Sequence, residues 1–439
     1  MGVLKQPLGA GSAKIRQAGA VSTDTATGTG YRAVLADRRV RRLLAAFAAS
    51  YLGDGMSAVA VAWLAIALAP GPHAGLLVGA AIAAYTLPAV LGVAAFGRWL
   101  RPVSARRLLI ADSVLRAVLL GCVPLAWAAG VLSPGLYVAL LAASSLLRSW
   151  GQAGKFTILA ELVPERQRLS VNALVSTLGF STIVVGPAVA GVLSAGIGPA
   201  WVLGLDALSF AALAAVVAAT RVPPRAADTA GPVATGVRWL LRARPQLFAL
   251  LVLTWLFDLL YGPVEVALPL HVTTDLAAGS ALLGLYWTAF GVGSVAGGLL
   301  TGVLRRLPRW PVTVGIVGGW GLALLPFGLG APAAVTVACF GLGGLIFGPF
   351  NALSMTLVQD ETPPRQLASV LALRSAALMT AAPVGAALGG PLVTAFGPRP
   401  VLAGSGVATV ALAAVSLVAV LRIRGSAEGD AAGGGRLSP

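Results

Sequence analysis

Apolar runs of about eighteen or more residues recur along almost the whole chain, which excludes an ordinary soluble fold. Inside lipid a backbone must satisfy its own polar groups, so such runs read as membrane-spanning α-helices. Twelve are predicted, at roughly 43–69, 74–97, 106–129, 135–158, 170–195, 198–220, 246–270, 279–304, 311–330, 332–358, 367–396 and 400–422. The composition agrees, at 57% hydrophobic and 10% charged residues.

A second constraint is an internal repeat. Val163-Pro164-Glu165-Arg166-Gln167-Arg168-Leu169-Ser170-Val171-Asn172-Ala173-Leu174 aligns with Thr362-Pro363-Pro364-Arg365-Gln366-Leu367-Ala368-Ser369-Val370-Leu371-Ala372-Leu373, 199 residues later. At the same offset Gly186 falls on Gly385 and Gly191 on Gly390. A polar turn followed by a Gly-rich apolar helix is used twice, which points to two parallel membrane repeats around a shared site.

Loop charges predict orientation. Arg98, Arg101, Arg106, Arg107, Lys155, Arg166, Arg168, Arg221, Arg225, Arg238, Arg242, Arg244, Arg305, Arg306, Arg309 and Arg365 follow helices 2, 4, 6, 8 and 10, whereas the opposite loops hold only Arg399. The positive-inside rule then puts both termini in the cytoplasm. In this setting the net charge of +16 sets topology and does not imply a nucleic-acid partner. Residues 1–40 are expected to be a disordered basic cytoplasmic tail and 425–439 a second disordered tail. Between them lie an N-terminal six-helix half, 41–221, and a C-terminal one, 246–424. The linker 222–245 contains Val237-Arg238-Trp239-Leu240-Leu241-Arg242, a short amphipathic helix suited to the membrane interface. Arg38-Arg39-Val40-Arg41-Arg42 resembles a twin-arginine signal, but the apolar stretch after it is too long for one and reads as the first anchor.

Several motifs refine the reading. Leu159-Ala160-Glu161-Leu162-Val163-Pro164 precedes Asn172-Ala173-Leu174 at the helix 4–5 connection, and helix 5 carries Gly179 and Gly186-Pro187-Ala188-Val189-Ala190-Gly191. Helix 6 carries Pro199-Ala200-Trp201 and Asp206-Ala207-Leu208-Ser209-Phe210. Taken together over about residues 41–424, these resemble the drug and siderophore exporters of the major facilitator superfamily. The resemblance implies an all-α membrane fold of twelve helices in two parallel six-helix repeats, with Gly179, Gly186, Pro187 and Gly191 as an antiporter motif. Gly97 and Arg106-Arg107 match the family's loop between helices 2 and 3, but Arg101 stands where that loop has an acidic residue. The helix 4 motif Arg-x-x-Gln-Gly appears as Arg148-Ser149-Trp150-Gly151-Gln152, its last pair inverted.

Charges inside the membrane cost about 2.5–3.5 kcal/mol each and need a partner or a task. Asp54 lies about 16 Å into helix 1, and Arg148 about 10 Å from the cytoplasmic edge in helix 4, close enough to pair. A titratable carboxylate beside an arginine is what proton exchange requires, and a static ion pair is the alternative. Asp258 is the matching position in helix 7, with Arg374 of helix 11 as its candidate partner. Glu265 is placed near the outer surface as an exposed interfacial carboxylate rather than a gate. Asp206 is expected to make a structural hydrogen bond, and Asp112 with Arg116 a packing pair at the start of helix 3. Gly186-Pro187 reads as a bending element. Trp63, Tyr85, Trp150, Tyr261, Tyr286, Trp287 and Trp320 are candidates for an aromatic cavity or for packing.

No enzyme motif is present. Gly154-Lys155-Phe156-Thr157 misses a phosphate-binding loop, since Ser149 and Phe156 occupy positions it reserves for other residues. Two cysteines, Cys122 and Cys339, and two histidines, His73 and His271, provide neither a disulfide framework nor a metal cluster. No metal and no cofactor are expected. The expectation is a monomeric plasma-membrane transporter that exports a small, largely apolar compound in exchange for protons. Proton-coupled import on the same fold is the alternative, followed by a non-transporting multispan protein.

Overall fold

The computed structural model describes residues 31–100, 102–164, 167–220, 244–304, 307–363 and 366–433. Arg101, Arg166, Arg365, nearly all of the linker and both chain ends lie outside these ranges, as do the expectations attached to them. The described residues are helical and contain no strand.

Among the described residues twelve bundle helices follow one another. They are α1 (Arg38–Leu68), α2 (Ala74–Thr86 continued by Pro88–Leu100), α3 (Ala105–Ala128) and α4 (Pro134–Ser145 continued by Arg148–Leu162). Then come α5 (Arg168–Ile197), α6 (Pro199–Ala219), α7 (Pro245–Leu270) and α8 (Ser280–Leu304). The last are α9 (Arg309–Gly328), α10 (Ala333–Phe347 continued by Phe350–Glu361), α11 (Leu367–Phe396) and α12 (Pro398–Gly433). A short helix, Tyr31–Ala36, precedes α1, and α12 runs to Gly433, so helix replaces tail at both margins.

Eleven of these are long and apolar enough to cross a membrane by length and composition. The other is α4, broken at Leu146–Leu147 into pieces of 12 and 15 residues, the second carrying Arg148, Lys155 and Glu161. Helix α10 breaks at the equivalent place, Gly348-Pro349. The repeat is also visible in the turns. Gly198 joins α5 to α6 at φ 86°, and Gly397 joins α11 to α12 at φ 82°. Each precedes a proline that starts the next helix, so a residue free to take positive φ is followed by one preset for a first helical turn.

The two halves meet mainly through α5 against α8 and α2 against α11. The repeated glycines explain both contacts. Gly191 lies against Ser280 and Gly284 of α8, and its duplicate Gly390 lies against Gly75 and Leu76 of α2. Gly186 and its duplicate Gly385 face inward instead, onto Gly55 of α1 and Gly262 of α7. Without side chains at these points the backbones approach closely, which is how helices associate in lipid. The inter-half contacts gather at the end of the bundle opposite the chain termini, called distal below. At Gly179, nearer the termini, a side chain would meet nothing within 4 Å.

Candidate transport site

A cavity of about 490 Å³ lies between the halves, within the usual range for small-ligand sites. Asp54, Ser57, Tyr85, Arg148 and Gln152 line one wall, from α1, α2 and α4. Tyr261, Glu265, Trp287 and Phe290 line the other, from α7 and α8. Gly179, Thr182 and Pro187 of α5 complete it.

The charged wall is backed by α3 and α6, whose Arg116 and Asp206 sequence reasoning gave structural roles only. Arg116 of α3 is 2% exposed, and its Nη2 donates to Asp54 Oδ1 at 2.6 Å and to the Tyr85 hydroxyl at 2.7 Å. Its guanidinium also lies over the Phe210 ring of α6, 3.9 Å from the centroid. Arg148 stands 3.5 Å from the same Asp54 oxygen and is partly open to the cavity. Arg116 is therefore the short contact and Arg148 the longer one, and the expected Asp112–Arg116 pair is not formed. Depth alone pointed this way. Arg116 is eleven residues into α3, about 16 Å, which is level with Asp54. Asp112 is buried against Gly151, with its Oδ1 lacking a hydrogen-bond partner.

Asp206 of α6 is fully buried behind this wall. Ser57 Oγ donates to it at 2.5 Å and Ser209 Oγ at 3.3 Å, while the Tyr85 hydroxyl lies 3.5 Å away. Gly53 makes room for it, since a side chain there would overlap the Asp206 carboxylate. The expected hydrogen bond is present, but the residue also belongs to the cluster. Tyr85 reaches both carboxylates, being 3.3 Å from Asp54. Lys155, expected in a loop, is 2% exposed inside the bundle, 3.2 Å from Ser50 Oγ and over the Tyr51 ring. Helix α4 continues to Leu162 and so carries this lysine inward.

The second half is differently arranged. Asp258 forms no ion pair or hydrogen bond among the described residues. Arg374 is buried and donates instead to Ser354 Oγ at 3.0 Å and Asn351 Oδ1 at 3.5 Å on α10. Glu265 lines the cavity and is not an interfacial surface residue. Helix α7 stays helical through Pro263 and runs on to Leu270, so residue 265 is still within the bundle. Of the aromatic candidates, Tyr85, Tyr261 and Trp287 face the cavity, whereas Tyr286 and Trp320 are packed in the core. Arg106 donates to the carbonyls of Val217 and Ala218 at the end of α6, a favourable place for a cation. Arg107 is exposed, and Gly97 lies beside Trp150. Among the described residues no group of three metal-ligating side chains occurs.

A cavity at the junction of two six-helix repeats fits a transporter, and the family match decides it. The model of the Major Facilitator Superfamily matches residues 43–265 and again 250–438. The chain belongs to the Major Facilitator Superfamily.

Among similar members, the uncharacterized MFS-type transporter y4rN of Sinorhizobium fredii is 29% identical over 64% of this chain and 71% of its own. The multidrug efflux pump Tap of Mycobacterium tuberculosis is 26% identical over 79% of this chain and 84% of its own. The enterobactin exporter EntS of Shigella flexneri is 27% identical over 55% and 58% respectively. The nucleoside transporter NupG (D323A mutant) superposes with a TM-score of 0.68 at 16% identity, over 87% of this chain and 99% of its own. A bacterial homologue of ferroportin in the inward-facing state reaches 0.66 at 16% identity, over 86% and 98%. These structural likenesses establish the superfamily's twelve-helix fold.

Superfamily members are transporters, so the distal contact has a mechanical consequence. A Cβ at Gly284 would sit 2.6 Å from the Pro187 carbonyl and 3.1 Å from Gly191 Cα. Gly284→Leu therefore wedges α5 from α8. The expected result is a distal end that is more accessible to thiol reagents and a transport rate lowered more than tenfold. Normal transport with unchanged accessibility would show that the glycine contact does not hold the halves.

Proposed function

We propose that this protein exports a small, largely apolar compound across the plasma membrane in exchange for protons, as a monomer and without enzymatic chemistry. The observation that carries this reading is the Asp54–Tyr85–Asp206 cluster opening onto the inter-half cavity. A ligand entering that cavity meets Asp54 and Tyr85 directly. The Tyr85 hydroxyl links them to Asp206, which has hydroxyl partners but no cation within ion-pairing distance. Asp206 is thus the member of the cluster held by hydroxyls rather than by an ion pair, and a proton moving on or off it changes the net charge of the cluster. Coupling follows if ligand and proton compete for this wall. Asp258 and Arg374 are left with a supporting role on the far side, and Gly179, Gly186, Pro187 and Gly191 with the helix surfaces that slide during exchange.

Export is supported by the helix 5 motif and by relatives named as a multidrug efflux pump and an enterobactin exporter. Import is the second reading, since a D-xylose–proton symporter shares the fold at a TM-score of 0.65. Cytoplasmic termini are supported by the loop arginines, an asymmetry that survives the inward placement of Lys155.

Inverted membrane vesicles test direction and coupling together. A panel of fluorescent amphiphilic dyes should accumulate in them when a proton gradient is imposed and should leak out when it is collapsed. Cysteine replacing His73 should label only from outside intact cells, and cysteine replacing Arg107 only in inverted vesicles, in a background lacking Cys122 and Cys339. Gradient-driven dye loss from inverted vesicles would establish import instead.

A further inference from the structure

Each half carries a surface groove where its first and last helices meet, at the end of the bundle that holds the termini. In the first half, α1 and α6 enclose about 570 Å³ between Arg39, Arg42, Ala215, Val216, Ala219 and Thr220. In the second, α7 and α12 bring Gln246 and Val415 to a groove of about 310 Å³, which Trp310 and Glu361 help to line. The two places correspond. Gln246 stands where Arg42 does, in the register that sets Asp258 over Asp54, and Val415 stands where Val216 does at the 199-residue offset. The position has been kept and the charge has not: two arginines line the first groove, and no cation lines the second.

Arg39 and Arg42 lie one turn apart on α1, and both are exposed. Neither guanidinium has a hydrogen-bond or ion-pair partner among the described residues, and the nearby Asp37 caps α1 through the Arg39 amide at 2.7 Å. Arg106 adds a third positive charge at the same end of α6, where it holds the Val217 and Ala218 carbonyls. The level is that of lipid headgroups, since the apolar run of α1 starts at Leu43 and α6 stops at Ala219. Ala215 and Ala219 are exposed and small, which leaves room for a hydrocarbon chain beside them. The chain itself has no anion to spare for this place. Residues 1–30, 221–243 and 434–439, outside the described ranges, each hold more Lys and Arg than Asp and Glu.

We propose that the first-half groove binds an anionic glycerophospholipid, with its phosphate on Arg39 and Arg42 and an acyl chain running past Ala215 toward the bilayer interior. Guanidinium groups match phosphate oxygens in paired hydrogen bonds. A headgroup with a net negative charge gains more from them than a zwitterionic one, whose own cation offsets the phosphate. The second groove, with Gln246 and Glu361, has nothing to hold such a headgroup. The inference concerns the surrounding membrane and not the cargo, so it stands or falls apart from the transport reading.

The purified full chain in neutral detergent is given equal amounts of phosphatidylglycerol and phosphatidylcholine with the same acyl chains. Native mass spectrometry then reads which lipid the intact protein retains. The wild type should retain phosphatidylglycerol in preference. Arg39→Gln with Arg42→Gln should lower that preference at least about tenfold and leave phosphatidylcholine retention unchanged, which also shows that the groove persists. Arg107→Gln with Arg244→Gln removes the same charge from exposed positions outside both grooves and should keep the preference. Loss in both double variants would make the effect one of net charge and overturn the site, as would a wild type with no preference. If the Arg39→Gln, Arg42→Gln variant retains neither lipid, Arg39→Lys with Arg42→Lys decides, because a kept preference supports the site and a lost one refutes it. Inorganic phosphate at millimolar concentration should not displace the lipid, and displacement would assign the groove to a free anion instead.

Discussion

Arg116→Leu should be the most damaging single change in the protein, lowering unfolding stability in detergent by about 3–5 kcal/mol and stopping transport. The guanidinium is buried and provides the short contact to Asp54, so its loss strands a carboxylate among apolar helices. Arg148 is close enough to swing in from 3.5 Å, which argues for the lower end of that range. The decisive measurement is the double variant. Adding Asp54→Asn to Arg116→Leu removes the stranded charge and should restore most of the stability, while transport stays absent. If Arg116→Leu alone unfolds no more easily than the wild type, the pair is not what ties α1 to α3. If stability returns and transport returns with it, the cluster is structural only.

Asp206→Asn should abolish proton-driven export, by more than tenfold in gradient-dependent flux, with little loss of folded protein. An amide at this position still accepts the hydrogen bond from Ser57 but cannot exchange a proton. No ion pair is broken, so the effect is confined to coupling. Asp54→Asn should stop export too, but less cleanly, because it also deprives Arg116 of its anion. Asp258→Asn should be mild by comparison, since that side chain lies outside the cavity lining. Flux into inverted vesicles at a series of pH values around neutral separates these variants. Gradient-coupled export by Asp206→Asn together with loss of coupling in Asp258→Asn would move the proton site to the second half.

The two largest effects fall on residues that were misread or underrated from sequence, and the reason is physical. Arg116 was visible as a charge at the same depth as Asp54, yet it was assigned to Asp112 because i,i+4 neighbours are all a single helix offers. Glu265 was sent to the surface by counting residues along α7 from its start, which fixes height but not facing. The inverted Gly151-Gln152 pair has a clear outcome only in three dimensions, where Gly151 accommodates Asp112 and Gln152 reaches the cavity.

What the sequence determined by itself was local or repeated. Spanning helices declare themselves because each satisfies its own backbone and must match the bilayer in length, so hydropathy alone gives their positions. The 199-residue repeat marked beforehand the glycines at which backbones approach, Gly186 and Gly191 with Gly385 and Gly390, because close packing in lipid requires small residues wherever it occurs. The tertiary structure decided the rotation of each helix about its own axis. These helices are apolar on every face, so no periodic contrast in the sequence shows which face turns inward. Only the packing of α1 and α3 on opposite sides of α6 brings Asp54, Arg116 and Asp206 to one place, and only the meeting of α7 and α8 with the first half turns Glu265 toward them.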